Sequence, residues 1–408
     1  MHVELHSDFQ DDAEAQQAAD LISACVHCGF CLPTCPTYLD TGDERDSPRG
    51  RIYLVKQLLE EGQATAITQR HLDRCLTCRS CETTCPSGMR YGALADIGRG
   101  MMETQAPRPA PERLLRTLLR KCLSRPTLFT GLVRIGQLFK PAIPGALGRK
   151  IPPRQKTGPV PSQIHARQVL ILEGCAQKAA TPATNQAAAR VLDRLGISLQ
   201  AVPGAGCCGA VDYHLGAHAD GLKHMRRNID AWWPAIEQGA EAVVSSATGC
   251  GSLLAEYGEL LAGDPEYAER AAKISSLHTD LAAFLLQQDL SLLQTRAVRG
   301  EDKIALHIPC SQQHALQQPD TTREILRRAG FTLACTRDDH LCCGSAGTYS
   351  ILQADTSERL RAQKIDALTG DSPAVIATAN VGCQLHLGEA AEVPVKHWIE
   401  LLDEATGP

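Results

Sequence analysis

Two runs of cysteines near the start of the sequence have the spacing of iron-sulfur ligands. Both follow C-x2-C-x2-C-x3-C-P, and each position in the second run equals the matching position in the first plus 50. In this pattern three closely spaced thiolates bind one cubane cluster, and the fourth, just before the proline, binds the other. The predicted ligands are Cys25, Cys28, Cys31 and Cys85 for a first [4Fe-4S] cluster, and Cys75, Cys78, Cys81 and Cys35 for a second.

Structural zinc is the competing interpretation of these thiols. Zinc needs only four sulfurs, so it leaves the third cysteine and the proline of each run unexplained, whereas soft thiolates select iron and sulfide. His27 lies inside the first run. Because four thiolates are already available there, we interpret His27 as a neighbour that tunes solvent access or a hydrogen bond.

A second set of cysteines repeats with a longer period, and each copy contains a Cys-Cys-Gly turn. The matching cysteines are offset by 135, 135, 135 and 133 residues: Cys175, Cys207, Cys208 and Cys250, then Cys310, Cys342, Cys343 and Cys383. They form a candidate further metal or redox site, and the competing interpretation is buried structural cysteine. His386, three residues after Cys383, is another candidate ligand, whereas Leu253 at the matching place cannot bind metal.

Apolar runs predict the strands that position these quartets. Each half is interpreted as β-α-β-α-β, an α/β lobe whose cysteines follow the carboxyl ends of strands, where open α/β sheets bind ligands. The runs that predict strands are 169–175, 197–202 and 242–250 in the first half, and 304–310, 331–334 and 374–383 in the second.

The segment between the first two cysteine runs predicts a helix. Ser47-Pro48 is a helix start, and residues 51–61 are amphipathic. The predicted fold class is therefore α+β multidomain, with an α-helical two-cluster ferredoxin domain, a basic, proline-punctuated helical linker and two repeated cysteine-rich lobes. The predicted bounds are 1–104, 105–165, 166–300 and 301–408.

Length and composition exclude several classes of protein. The chain has 408 residues, of which 43% are hydrophobic, enough for about three domains of roughly 150 residues, and this excludes disorder. It lacks a run of ~20 apolar residues that would span a membrane, and its acidic amino terminus is unlike a secretory signal. We therefore expect a cytoplasmic protein, whose reduced thiols bind metal and do not form disulfides.

The segment from 113 to 156 is strongly basic. It holds 11 Lys or Arg and no Asp or Glu, in a chain of net charge −5. Apolar residues recur there at roughly helical spacing, which favours an anionic membrane surface, an acidic partner or, alternatively, a solvated linker helix. No motif for reading nucleic acid accompanies the charge, and no flavin, nicotinamide or phosphate loop is visible, so neither nucleic-acid binding nor a catalytic site is expected.

Together, these motifs resemble the iron-sulfur subunits of flavin-dependent 2-hydroxyacid and glycerol-phosphate dehydrogenases. The strings most similar to the glycolate oxidase iron-sulfur subunits are ACVHCGFCLPTCPTY, SPRGRIYL, HLDRCLTCRSCETTCPSG, GCCGAVDYH, NIDAWWPAIEQGAEA and HLCCGSAGTY. The lobes resemble the cysteine-rich domains of heterodisulfide reductases. They differ from those domains because the last cysteine of each quartet lacks the C-x2-C partner that completes five thiolates there.

The resemblance implies an electron-transfer subunit without catalytic residues of its own. Partner flavoprotein subunits would carry FAD and oxidise glycolate to glyoxylate, and this chain would pass the electrons towards quinone or another membrane acceptor at the cytoplasmic face of the inner membrane. The alternatives are the equivalent subunit of an anaerobic glycerol-3-phosphate or lactate dehydrogenase and, from another class, an iron-sulfur redox sensor or scaffold.

Overall fold

The amino-terminal part of the chain is helical. The computed structural model describes residues 1–143, 145–293 and 302–407. Up to residue 105, the described chain contains helices and two short 3-10 turns but no strand. The helices are α1 (Ala13–Ser23), α2 (Pro36–Thr41), α3 (Pro48–Glu61), α4 (Ala66–Asp73), α5 (Ser80–Thr83) and α6 (Tyr91–Gln105).

Helix α3 separates the two cysteine runs and confirms the helix predicted there. The Ser47 hydroxyl caps it by accepting a hydrogen bond from the Gly50 backbone N–H at 3.0 Å, and Pro48 occupies the first turn. Gly62 ends the helix in the left-handed conformation, with φ 68°. The apolar face predicted from the sequence is buried: Ile52, Leu54, Val55, Leu58 and Leu59.

The basic segment forms a helical hairpin followed by a short helix. The helices are α7 (Ala110–Leu123), α8 (Pro126–Phe139) and α9 (Gly145–Lys150). Two buried arginines attach α7 to the helical domain, because Arg108 and Arg116 both lie within 2.8 Å of the Asp73 carboxylate. None of the described helices is both long enough and apolar enough to cross a membrane. Residue 144 lies outside the described residues.

The hairpin leaves apolar side chains exposed on both of its helices. We call them the α7–α8 apolar surface: Leu114, Leu115, Leu118, Leu128, Leu132, Ile135, Leu138 and Phe139.

The first cysteine-rich lobe contains a four-stranded parallel sheet of order β2-β1-β3-β4. The strands are β1 (Arg167–Leu172), β2 (Ile197–Ala201), β3 (Ala242–Ser245) and β4 (His278–Asp280). The first three confirm the predicted strands, and the sequence analysis missed β4 because three residues, two of them charged or ionisable, form no apolar run. The helices are α10 (Gln177–Ala180), α11 (Pro182–Arg194), α12 (Ala210–His214), α13 (His218–Glu237), α14 (Thr248–Leu260), α15 (Ala268–Leu277) and α16 (Leu281–Leu286).

The second lobe contains a three-stranded parallel sheet of order β5-β6-β7. Its strands are β5 (Ile304–His307), β6 (Val375–Thr378) and β7 (Val395–His397). A π-helical turn spans Ser311–Ala315. The helices are α17 (Thr321–Arg328), α18 (Tyr349–Leu352), α19 (Ala354–Thr369), α20 (Val381–Gly388) and α21 (Trp398–Ala405). The predicted boundary between the lobes, at 300 and 301, lies outside the described residues, and all the predicted domain bounds remain predictions.

The strand predicted at 331–334 is wrong. The segment makes one isolated bridge, between Ile304 and Leu333. Beyond it the chain leaves the sheet, because the Cys335 N–H donates to the Asp371 carboxylate at 3.0 Å and Asp338 adopts a positive φ of 50°.

The two lobes pack against each other through a common hydrophobic core. Val169 and Val244 of the first sheet belong to the same buried cluster as Leu306, Ala377 and Trp398 of the second lobe. The Thr248 N–H also donates to the Ala379 carbonyl at 3.2 Å, which joins the starts of α14 and α20. The molecule is thus an α+β multidomain protein, as predicted.

Candidate metal centres

The two amino-terminal cysteine runs form loops with the same backbone conformation. His27 and Gly29 in the first loop have φ of 56° and 85°, and Thr77 and Arg79 in the second have φ of 53° and 60°. Each pair is offset by 50 residues, so the sequence repeat is also a repeat of backbone geometry. The left-handed conformation bends the backbone sharply, and a non-glycine residue adopts it at a cost of ~1–2 kcal/mol. The repeated strain indicates two loops built to wrap around similar groups.

One cavity of the helical domain, which we call the first cavity, is lined by thiols from both runs. It is lined by Cys25, Cys28 and Cys31 of the first run and by Cys85 of the second, the four residues predicted to hold one cluster, and Cys81 also borders it. The Met89 N–H approaches the Cys85 sulfur at 3.4 Å. Four thiols around one cavity, with a backbone donor aimed at sulfur, fit the chemistry of iron-sulfur ligation.

The second group of thiols is less accessible to solvent. Cys35, Cys75 and Cys81 are buried and Cys78 is half-buried. Burial raises the pKa of Cys81, and the neighbouring thiols Cys78, Cys75 and Cys35 raise it further. The Thr77 N–H donates to the Cys75 sulfur at 3.3 Å. These thiols are therefore close enough to repel one another as thiolates, and bound iron would relieve that repulsion.

Two buried guanidinium groups lie beside the second group. Burial alone would raise the pKa of Cys75, but the positive charges of Arg51 and Arg99 outweigh it and lower that pKa below the ordinary thiol value. Arg99 is fixed by donating to the Cys75 carbonyl at 2.6 Å, and Arg51 by donating to the His71 carbonyl at 2.6 Å. The Cys75 position therefore favours thiolate, the form that binds metal.

A buried carboxylate holds Arg51 in place. Asp46 is fully buried, and its side chain lies 3.4 Å from Arg51, 2.7 Å from His71 and 2.9 Å from Arg74. Its backbone carbonyl accepts hydrogen bonds from the Thr37 hydroxyl and, at 3.6 Å, from the Cys35 thiol. Asp46 thus orients the Arg51 guanidinium near the thiols, and it also holds the loop that carries Cys35.

In the first lobe, the vicinal cysteines are held by hydrogen bonds to their carbonyls. Asn228 donates to the Cys207 carbonyl at 2.9 Å, and the Tyr257 hydroxyl donates to the Cys208 carbonyl at 2.7 Å. Cys175 is buried, and Cys250, in the first turn of α14, is half-buried. All four cysteines follow the carboxyl ends of strands β1, β2 and β3, as predicted.

In the second lobe, a histidine that the sequence analysis missed lies among the cysteines. The Cys310 and Cys342 sulfurs are 3.8 Å apart. A ring nitrogen of His307 and the sulfurs of Cys343 and Cys383 all lie within 4.8 Å of one another. The only sequence signal was a histidine inside the apolar run 304–310, three residues before Cys310. His386, the candidate ligand named above, instead contacts the Ser357 hydroxyl at 3.2 Å.

The turn after each cysteine pair requires glycine. Gly344 has φ 89°, and an added Cβ would lie 2.6 Å from the Ser357 carbonyl oxygen. We expect Gly344→Ala to destabilise the second lobe by about 3 kcal/mol, from ~1–2 for the left-handed backbone and ~1–3 for the overpacking. Gly330→Ala is the matched control, because Gly330 has φ 84° and nothing within 4 Å of an added Cβ. Equal shifts of the urea midpoint, followed by circular dichroism, would contradict the packing argument.

Comparison with known proteins decides the family. The model of 4Fe-4S dicluster domains matches residues 21–89, and that of a cysteine-rich domain matches 169–255 and 304–388. The glycolate oxidase iron-sulfur subunit of Escherichia coli (strain K12) is 50% identical over 406 residues, which are 99% of each chain. The chain belongs to the glycolate oxidase iron-sulfur subunit family.

Other relatives show how far this likeness extends. The probable glycolate oxidase iron-sulfur subunit of Bacillus subtilis (strain 168) is 31% identical over 94% of each chain. Lactate utilization protein A of Bacillus velezensis is 29% identical over 53% of this chain and 91% of its own. Membership of the glycolate oxidase iron-sulfur subunit family confirms the resemblance that the cysteine spacing and the Cys-Cys-Gly turns predicted.

Proposed function

We propose that the chain is the electron-transfer subunit of a glycolate oxidase complex. Partner flavoprotein subunits carry FAD and oxidise glycolate to glyoxylate, and this chain passes the electrons singly towards quinone or another membrane acceptor. The observation that carries the proposal is the first cavity, where Cys85 of the second run joins Cys25, Cys28 and Cys31 of the first. The relative that is 50% identical over 99% of each chain supports the choice of complex.

Two [4Fe-4S] clusters are assigned to the amino-terminal thiols. The proposed ligands are Cys25, Cys28, Cys31 and Cys85 for one cluster, and Cys75, Cys78, Cys81 and Cys35 for the other. When bound, such clusters accept and release single electrons.

The chain's own residues prepare these positions for negatively charged sulfur. The Thr77 and Met89 N–H groups point at ligand sulfurs, and the buried charges of Arg51 and Arg99 stabilise the Cys75 thiolate. Cys28 is exposed, with the apolar side chains of Val26 and Phe30 exposed beside it, whereas the second group is largely buried. The first cluster position is therefore the one that a partner subunit reaches directly.

Rapid mixing with substrate tests the function. The purified chain is combined anaerobically with its flavoprotein partners, and glycolate, lactate or glycerol 3-phosphate is added. We expect glycolate to bleach the visible absorption of the clusters fastest. The reason is that Lactate utilization protein A, the relative whose name refers to lactate, aligns with only 53% of this chain. A redox sensor or scaffold would instead change its oligomeric state or partner affinity without being reduced by any of the three substrates.

The α7–α8 apolar surface supports peripheral attachment to the inner membrane. Its leucines lie in a segment, 113–156, that carries 11 Lys or Arg and no acidic residue. Apolar side chains surrounded by cations match the chemistry of an anionic lipid surface. Attachment would hold the chain near a quinone without a membrane-spanning segment.

Replacing Leu132 and Ile135 together by aspartate is expected to weaken vesicle binding by at least about 100-fold. Each apolar side chain that the lipid buries contributes ~1.5–3 kcal/mol to binding, and 1.4 kcal/mol is a factor of ten in the binding constant. Binding is measured by co-sedimentation with vesicles of phosphatidylglycerol and phosphatidylcholine. Ile164→Asp is the control, because Ile164 is also exposed but lies outside the basic segment. Unchanged sedimentation of the double variant would assign the apolar surface to a protein partner.

A further inference from the structure

One histidine of the second lobe is buried without a hydrogen-bond partner. His307 is the last residue of β5 and is 2% exposed, and neither its Nδ1 nor its Nε2 has a partner among the described residues. A buried polar group left unpaired costs free energy, so each such group in a native protein calls for an explanation. An apolar residue would fill this position at lower cost.

The His307 ring faces thiols. One of its nitrogens lies within 4.8 Å of the Cys343 and Cys383 sulfurs, and those two sulfurs lie within the same distance of each other. Cys342 is adjacent to Cys343 in sequence, and its sulfur is 3.8 Å from that of Cys310. We call these five residues the second-lobe donor set: His307, Cys310, Cys342, Cys343 and Cys383.

The first lobe has no imidazole at the position that matches His307. The offset of 135 residues that relates Cys310 to Cys175 also relates His307 to Leu172. Leu172 ends β1 as His307 ends β5, but it packs in an apolar cluster with Cys208, Met225 and Trp232. The histidine is therefore a feature of the second lobe alone and not a requirement of the fold.

We infer that the second lobe binds an iron-sulfur centre through the second-lobe donor set, with His307 as an imidazole ligand. Zinc would use four donors and leave one of the five unexplained. Imidazole replaces thiolate on iron in some iron-sulfur proteins, so the mixed donor set suits iron. The inference goes beyond the proposed function, because it concerns metal content and is independent of the substrate.

The inferred centre lies beside the second amino-terminal cluster position. Cys78 and Cys310 pack against the same buried group of side chains, which includes Leu76, Cys342 and Tyr349. The Tyr349 hydroxyl donates to the Arg74 carbonyl at 3.1 Å and so joins this lobe to the chain just before Cys75. A third centre here would be the next acceptor for an electron leaving the second cluster.

The test compares iron content among full-length variants purified anaerobically. Wild type is expected to contain more iron and acid-labile sulfide than the about eight irons of two cubane clusters. Cys343→Ser is expected to lose the iron of this centre. Cys335→Ser is the control in the same lobe, because Cys335 is exposed and belongs to neither repeated pattern, and it is expected to leave the iron content unchanged. Wild type with about eight irons, one equivalent of zinc, or an equal loss of iron in Cys335→Ser would each overturn the inference.

A spectroscopic measurement isolates the role of His307. With ¹⁵N-labelled histidine, pulsed electron paramagnetic resonance is expected to show a nitrogen coupling that His307→Leu abolishes. His307→Leu copies the residue that the first lobe already tolerates, and His307→Cys is expected to keep the additional iron while losing the coupling. If His307→Leu keeps both the additional iron and the coupling, His307 is not a ligand. These readouts need no glycolate, so they separate failure of this inference from failure of the proposed function.

Discussion

Replacing Cys78 by serine is expected to remove one iron-sulfur cluster and to abolish glycolate-dependent dye reduction by the assembled complex. Residues that merely support a metal ligand typically cost 10–100-fold when mutated, so loss of a proposed ligand should cost more than about 100-fold. Burial raises the pKa of Cys78, and the neighbouring thiols Cys310 and Cys35 raise it further, so Cys78 lies near thiols of both the helical domain and the second lobe. The variant would therefore interrupt the proposed series of clusters near its middle.

Cys335→Ser provides the control for Cys78→Ser. Cys335 is exposed and belongs to neither repeated pattern, so its replacement should change neither the iron content nor the activity. Electron paramagnetic resonance of the dithionite-reduced protein counts the clusters, and a dye assay with the flavoprotein partners measures turnover. Activity that survives in Cys78→Ser with the cluster absent would remove that cluster from the electron path.

Replacing Arg51 by methionine is expected to destabilise the helical domain by about 3–5 kcal/mol. The change leaves the buried Asp46 without one of its cationic partners, and breaking one side of a buried ion pair typically costs that much. It also removes positive charge beside Cys75, so the second cluster should become harder to reduce and its potential more negative. Thermal unfolding and a redox titration measure the two effects.

Arg49→Met is the matched control for Arg51→Met. Arg49 lies on the same helix and pairs with Glu44, but that pair is partly exposed to solvent. Surface pairs contribute less than about 1 kcal/mol, so Arg49→Met should unfold close to wild type. Equal destabilisation by the two variants would mean that loss of any arginine on α3, and not the buried pair, is responsible.

The parts of the molecule that sequence analysis predicted are those encoded by short-range patterns. The Ser47-Pro48 start of α3 and the apolar runs that form β1 and β5 depend on neighbouring residues only. The cysteine repeat is equally local, and the structure shows that its left-handed residues repeat as well, at His27 and Thr77. The spacing of the last cysteine before each proline predicted that each cluster takes its fourth ligand from the other run. The cavity where Cys85 lies beside the first run supports this prediction.

The parts that were missed depend on residues distant in the chain. Strands β4 and β7 have three residues each and exist because β3 and β6 offer them hydrogen bonds, so no apolar run marks them. The segment at 331–334 has the composition of a strand. The Asp371 carboxylate accepts a hydrogen bond from the Cys335 N–H, however, and this ends the pairing of the segment with β5. His307 meets Cys343 and Cys383 only after the sheet has formed, so its association with them is a product of tertiary structure.

The hydrophobic core shared by the lobes has a consequence for the history of this molecule. Because Val169 and Val244 pack with Leu306 and Trp398, each half contributes to the stability of the other through apolar contacts. Residue 172 is leucine and its counterpart 307 is histidine, so the shared core accommodates either side chain at the end of a lobe's first strand. After a gene duplication, the inferred centre at His307 would thus give the second copy a role that the first copy need not share.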